Sequence, residues 1–363
     1  MLTRHHAISL CHVRDRADLV AFIDEQWKRG HILSVSPQLM DWQHQDAARD
    51  GLNFVIARHR ESGRLDGALG FIPTSQFDPA LAGEGDIWLC IWKVRVDADE
   101  PGLGMSLFWF LQRLLQPRSI AGIGMPEGFE KLYRYLGFRV GQLDHYYFVN
   151  ETKREFVILG NVRAPFEHVP REVRDRESPE REVRLEICTE GRFSALTTGC
   201  SDFGDAACYP RKSVTYLRKR YFEHPIYRYA VYAVIRGGGA KGFLVFRECA
   251  LGGASALRLV DVQLPLGELT GLSSELQRVV QERGAEYCDF YVHGIPEEVV
   301  TRVGFVRRTC DSDVIVPNYF EPFEQRNVEL RYACLTSKQG AFVICKGDSD
   351  QDRPSALPAQ GEV

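Results

Sequence analysis

The chain has 363 residues, enough for two domains at roughly 100–200 residues each. Hydrophobic residues make up 44% and charged residues 26%, which excludes wholesale disorder. Lys+Arg number 45 against 49 Asp+Glu, a formal charge of −4, which argues against a protein that wraps nucleic acid electrostatically. No run reaches the ~18–20 apolar residues of a transmembrane helix. Met1 to Arg16 is broken by Arg4, His5, His6, His12 and Arg14 and lacks the apolar core of a signal peptide. These features set the expectation of a cytoplasmic protein with neither nucleic acid nor membrane as partner. The ten cysteines include no Cys-x-x-Cys pair, and several, such as Cys90 and Cys345, sit in apolar runs as buried thiols would. Neither a zinc ribbon nor a disulfide framework is expected.

In chain order, Asp15 to Arg29 shows helical spacing. Asn53–Arg58 and Gly67–Ile72 read as a hairpin, and Asp86–Val96 as a long strand. Met105–Leu115 reads as a helix buried on much of its circumference. The strand Ser119–Met125, the helix Glu127–Leu136 closed by Gly137, and a last strand Gln142–Val149 complete the first half. Residues 160–184 are the clearest break in composition; the stretch 167–184 is charged, holds two prolines and reads as a linker. The second half repeats the order: a hairpin over Tyr229–Ile235 and Lys241–Arg247, a strand Ala256–Leu264, a helix Leu272–Gln281, a strand Tyr287–Val292 and a helix Pro296–Val303. Gly70-Phe71 and Gly137-Phe138 stand 67 residues apart (137 − 70), and Gly242-Phe243 and Gly304-Phe305 stand 62 apart (304 − 242). Similar spacings around the same elements predict a duplicated fold. The predicted limits are a first domain over 1–158, the linker over 159–184, a second domain over 185–345 and a disordered tail over 346–363.

The sharpest local feature is the run Lys93-Val-Arg-Val-Asp-Ala-Asp-Glu-Pro-Gly-Leu-Gly-Met-Ser106. A strand enters a Gly-x-Gly loop and a helix follows at once. Glycines admit a close backbone approach, and the free amides of a helix N-terminus favour an anion such as pyrophosphate. The loop is neither a Walker loop nor a full Gly-x-Gly-x-x-Gly fingerprint. The second feature is Phe129-Glu-Lys-Leu-Tyr-Arg-Tyr-Leu-Gly-Phe138.

Together these two motifs resemble the Gcn5-related N-acetyltransferase (GNAT) superfamily. There a valine-bearing strand leads to a [Gln/Arg]-x-x-Gly-x-[Gly/Ala] loop, and a Tyr-x-x-x-Gly-Phe helix end follows. Val94, Gly102, Gly104, Tyr133 and Gly137 fall in register, while Asp99 replaces the Gln/Arg and Glu100 follows it. Two carboxylates beside a pyrophosphate are unfavourable unless they turn away. The resemblance covers about residues 1–150 by motif and about 185–335 by topology alone. It implies an α/β (α+β) architecture of two tandem GNAT-like domains, each a mixed, mostly antiparallel sheet flanked by helices. It also implies acetyl-CoA or another acyl-CoA as co-substrate, with no metal. Val94, Arg95 and Val96 would pair with the pantetheine, and Gly102, Leu103, Gly104, Met105 and Ser106 would hold the pyrophosphate. The second-half loop Gln263–Gly271 lacks Gly-x-Gly and is not expected to bind coenzyme A.

Acyl transfer to an amine needs a free amine, a donor for the oxyanion and a proton for the thiolate. The motif match makes Tyr133 the acid, with Tyr135 in reserve. Glu84 and Asp86 are the base candidates, and His31 and His145 are weaker ones. Trp27, His31, Trp42, Trp88, Trp92 and His145 are candidates for the acceptor pocket. The segments around Trp27, Trp42 and Asp144-His145 look like those of acyltransferases in bacterial surface-polysaccharide biosynthesis, which implies an amino-sugar nucleotide acceptor. Two alternatives stay open: a Fem-like aminoacyl-tRNA-dependent transferase, and a non-catalytic binding or regulatory protein. The basic segment Arg211–Phe222 reads either as a phosphate site or as a solvated helix resting Tyr216, Leu217 and Phe222 on the core.

Overall fold

In the computed structural model, residues 1, 3–162, 183–355 and 357 are described. The strands, in chain order, are β1 (His6–His12), β2 (Gly51–His59), β3 (Leu65–Pro73), β4 (Asp86–Val94), β5 (Ser119–Ile123), β6 (Arg139–Gln142) and β7 (Asp144–Val149). After the linker come β8 (Val183–Ile187), β9 (Tyr229–Arg236), β10 (Gly239–Leu251), β11 (Ala254–Gln263), β12 (Tyr287–His293), β13 (Val306–Arg307) and β14 (Arg331–Thr336). They build two mixed, mostly antiparallel sheets. The first runs β1–β2–β3–β4–β5–β14–β6, and the second β8–β9–β10–β11–β12–β7–β13.

The two orders are the same, so the fold is duplicated, and each half lends the other one strand. The last strand predicted for the first half splits at Leu143. β6 stays in the first sheet, whereas β7 pairs antiparallel with β12 in the second. In return β14, near the end of the chain, inserts between β5 and β6. Most of the predicted linker, residues 163–182, lies outside the described residues.

Each sheet buries both faces. The helix Leu103–Leu115 sets Leu107, Phe108 and Leu111 against Val55, Leu69 and Leu89. Leu19, Phe22, Ile23 and Leu39 cover Phe54 and Ile91 on the opposite face. In the second half, Leu276 and Val279 of the helix Ser273–Glu282 pack on Phe246 and Phe290. Trp88, Tyr216, Tyr291, Tyr332 and Ile344 share one apolar cluster that joins the halves. The helix predicted from Glu127 is shorter, spanning Glu130–Tyr135. Among the described residues no helix is long and apolar enough to cross a membrane.

The predicted disordered tail requires correction. Residues 346–355 lie among the described residues, and Lys346, Asp348, Ser349, Asp350 and Asp352 are buried. Lys212 and Arg220 of the basic segment, with Arg247, fasten them, so these two charges of the segment are buried rather than solvated. Lys212 pairs with Asp348 at 2.9 Å and with Asp261 at 2.7 Å. Arg220 donates to the Gly347 carbonyl at 2.9 Å, and Arg247 pairs with Asp352 at 2.9 Å. A run rich in Asp, Ser and Gly carries no apolar signal of its own and is ordered by cations contributed from elsewhere.

Candidate active site

β4 and β5 pair in parallel over Asp86–Leu89 and Ser119–Gly122 and then part. Past Leu89, β4 keeps its partner β3 but has none on the β5 side. Opposite Leu69 and Phe71 of β3 stand Trp92 and Leu89, so two steps of one strand face three of the other. The extra residue makes a β-bulge at Cys90–Ile91, which bends the strand and leaves one residue unpaired in the ladder with β3. The space between the diverging strands is a cleft of about 720 Å³, walled by Cys90, Trp92 and Val94 on one side and by Gly122, Ile123 and Tyr133 on the other.

Gly102, Leu103, Gly104 and Met105 line one end of this cleft together with Arg95. Gly102 caps the helix Leu103–Leu115 in the left-handed region at φ 79°, which a side chain would strain. The Leu103 amide donates to the Glu100 carbonyl and the Ser106 amide to the Gly102 carbonyl. Those of Gly104 and Met105 have no partner among the described residues. The loop thus leaves two donors and the positive end of a helix at the mouth of the cleft, a suitable seat for an anion. The Trp92 indole donates to the Gly104 carbonyl at 3.1 Å and fixes the loop to β4. Of the other residues assigned to this loop and strand, Val96 is exposed and Ser106 lies outside the cleft lining.

The two carboxylates that break the motif have partners from the start of the chain and from β2, although Glu100 remains among the residues that line the cleft. Glu100 accepts from Thr3 Oγ1 at 2.5 Å and from the His5 amide at 2.8 Å, and it meets His6 Nδ1 at 3.2 Å. These bonds outweigh its desolvation and hold its pKa down to about 2. Asp99 faces His59 at 3.5 Å and His5 at 3.8 Å. His5, His59 and Asp99, like His6, Asp66 and Asp99, bring metal-ligand atom types within 4.8 Å of one another. Hydrogen bonds from the start of the chain thus hold the Glu100 carboxylate, and Asp99 lies beside the His5 and His59 rings.

Tyr133 stands in the cleft wall. Its ring meets Trp92 and Phe138 edge-on at 5.8 and 5.3 Å, and its hydroxyl bonds to no other described residue. Burial pushes its pKa up to about 12, so it is a phenol that holds its proton at neutral pH. Tyr135 is exposed.

The remaining predicted residues scatter. Trp27 and Trp92 line the cleft. Glu84 and Asp86 do not: both pair with Lys338, at 3.1 and 2.7 Å, at the far end of β4, and Asp86 also accepts from Ser119 Oγ. Trp42 donates to the Lys219 carbonyl and carries the Arg220 guanidinium on its face at 5.0 Å. Trp88 is enclosed between the halves. His145, on β7, belongs to the second sheet, where it bonds Asp289 at 3.1 Å and stacks on Tyr291 at 3.7 Å. His31 lines a separate, neighbouring cavity.

Missing from the sequence reading is the inner end of the cleft. It is closed by Asp350, Gln351 and Arg353 from the segment taken for a disordered tail. Ser349 Oγ donates to the Leu89 carbonyl at 3.1 Å, beside the bulge, and Asp350 pairs with Arg353 at 2.8 Å. Gly124, at φ 81°, lets the Gln351 side chain in, since a Cβ there would stand 2.7 Å from its Nε2. No periodicity marks this run. The one available signal was its three aspartates at every second position, 348, 350 and 352.

The second half has the same bulge: Leu244 and Phe246 face Val262 and Leu259, again two steps against three. There the gap past Leu259 is occupied by the chain itself. The Gly347 amide donates to the Val260 carbonyl at 2.7 Å, and Ile344–Cys345 pairs with β12.

No family model matches the chain, and neither does any curated protein. Solved structures do. A GCN5-related N-acetyltransferase from Anabaena variabilis superposes with a TM-score of 0.51 at 9% identity, over 92% of this chain and 73% of that one. One from Kribbella flavida gives 0.48 at 11%, over 91% and 70%, and a putative acetyltransferase from Pyrococcus horikoshii gives 0.45 at 10%, over 99% and 96%. The first of these likenesses, joined to the two repeated sheets, shows that the chain has a GNAT-like fold built as two tandem units.

Proposed function

We propose that the protein is an acyl-coenzyme A-dependent N-acyltransferase, most simply an N-acetyltransferase, that acts on a primary amine of a small molecule. The observation that carries this reading is the cleft itself: an unpaired β4 edge with a bulge at one end and two free helix amides at the other. The residues suit acyl-coenzyme A, which would supply the activated thioester. The amides of Gly104 and Met105 would hold its pyrophosphate, and Cys90 to Val94 would take its pantetheine as an added strand. An amide of the Cys90–Ile91 bulge would donate to the oxyanion as the amine nitrogen bonds to the carbonyl carbon. Tyr133 would give its proton to the sulfur as the carbon–sulfur bond breaks. Asp350, the carboxylate at the inner end of the cleft, would receive the proton the amine loses.

The amino-sugar nucleotide acceptor is the specific form of this proposal. The second unit would take no coenzyme A, since its gap holds residues 344–347. Burial of Lys212 and Arg220 takes two of the cations of the basic segment from the surface, which speaks against a tRNA donor. The test is titration with acetyl-coenzyme A followed by turnover in Tyr133→Phe. One equivalent should bind in both proteins, and kcat should fall about 100-fold in the variant with KM for acetyl-coenzyme A little changed. Full turnover by the variant removes the acid from Tyr133, and no binding at all removes the reading.

A further inference from the structure

Beside the cleft, and sharing Gln351 and Arg353 with it, lies a second cavity of about 180 Å³ between the two halves. Its cationic lining comes from both units and from the tail: Lys28, Arg247, Arg258, Lys346 and Arg353. Glu321 is the carboxylate in that lining. Three of the cations are already matched. Arg258 holds Asp289 with two bonds of 2.9 Å, Arg247 holds Asp352, and Arg353 holds Asp350. The other two are not: among the described residues neither Lys28 nor Lys346 has a carboxylate partner. Lys346 is 4% exposed, and its nitrogen meets Asn318 Oδ1 and the face of Tyr291 at 5.3 Å.

The neutral polar groups point to the same kind of guest. His31 is buried and its Nδ1 accepts from the Leu33 amide at 3.3 Å, which puts the ring proton on Nε2. That Nε2 has no partner. Asn318 spends its Oδ1 on Lys346, and its buried Nδ2 is without a partner too. The buried side-chain nitrogens of this lining that lack a partner are therefore both donors, an imidazole N–H and an amide N–H, and the Lys346 amine beside them has Asn318 Oδ1 as its one hydrogen-bond partner among the described residues. Leaving such donors unpaired in a buried site is unfavourable, and a set of acceptor oxygens would relieve it.

We infer that this cavity binds an oxyanion, the carboxylate or phosphate of the acceptor, with Lys346, His31 and Asn318 as its donors and Lys28 at the entrance. The acceptor's amine would then extend past Gln351 into the inner end of the acyl cleft. This assignment rests on the acyltransferase reading only for the word acceptor; the anion site stands on its own lining. Burial and the nearby Arg258 and Arg247 push the Lys346 ammonium well down, against the pull of Asp352 and Asp289. An oxyanion beside it would restore the charge, so binding should take up a proton.

The test uses the full chain and two probes, inorganic phosphate and succinate, in isothermal titration. One of them should bind at one equivalent, with an enthalpy that changes with the ionisation heat of the buffer. Lys346→Met should weaken it at least tenfold, and Lys28→Met, an exposed site where folding is not at stake, about threefold. Acetyl-coenzyme A affinity should stay within twofold in both variants. Phosphate binding identifies a phosphorylated acceptor and succinate binding a carboxylated one. If neither probe binds, or if binding is unchanged in both variants, the site is overturned. Loss of acetyl-coenzyme A binding with the anion retained would instead overturn the acyltransferase reading and leave the anion site standing.

Discussion

His44 is wholly enclosed beneath β3, where its Nδ1 donates to the Phe71 carbonyl at 3.2 Å and its Nε2 accepts from Gln43 at 3.0 Å. Both nitrogens are satisfied in the neutral ring, and desolvation drives its pKa down to about 4. Desolvation does the same to His145, to about 4, and to His31 and His224, to about 3. A folded-state pKa below the unfolded value of about 6.5 means that the unfolded chain takes up protons first as pH falls. The stability these rings contribute is complete above about pH 6.5 and is lost as pH falls toward 4. For His44 alone the difference is on the order of 3 kcal/mol. The urea midpoint should therefore drop between pH 7 and 4.5, and His44→Gln should flatten part of that drop. An unchanged slope in the variant would show that His44 does not carry it. None of this was legible in the sequence, where His31 and His145 stood as candidates for chemistry. Whether a histidine is buried is decided by what packs on it from distant parts of the chain.

Among the elements, the helix Leu103–Leu115 was the most legible. Its dense apolar residues and the Gly-x-Gly before it are both local signals, although it buries one face only, with Leu107, Phe108 and Leu111 inside and Trp109 and Leu114 exposed. Leu107 is fully buried under β2 and β3, so Leu107→Ala should cost about 2–5 kcal/mol in chemical denaturation. A smaller cost would mean that the helix relaxes into the space. The strands of both hairpins and the parallel pairs were equally readable, because alternation and turn residues mark them. β1 was not: three histidines in His6–His12 and its flank hide the alternation of Ile8 and Leu10. The bulge at Cys90–Ile91 was invisible as well. It appears as a slip of register between two strands, and no single strand carries that information.

For the whole molecule, the reciprocal exchange of β7 and β14 is the dominant fact. Neither sheet is complete without a strand from the other half. Fragments 1–162 and 183–363 should accordingly fold poorly alone and associate when co-expressed, co-eluting with the spectrum of the intact chain. A stable, monomeric 1–162 would show that β7 can return to its own half. The exchange also carries the end of the chain across the junction, which is how Asp350 and Arg353 come to line a cleft built some 250 residues earlier.

By itself the sequence determined the duplication, the strand-loop-helix seat with its free amides, and the position of Tyr133 on the helix that walls the cleft. The last two depend on residues close together in the chain, and the duplication on the same order of locally marked elements occurring twice. The tertiary structure alone decided which half β7 and β14 complete, that Glu84 and Asp86 belong to Lys338, and that residues 346–355 are core. A strand's partner and a carboxylate's partner are set by which edge and which cation lie opposite after folding. Local composition does not encode that choice, and an acidic, apolar-poor segment looks disordered until the buried cations that hold it are in place.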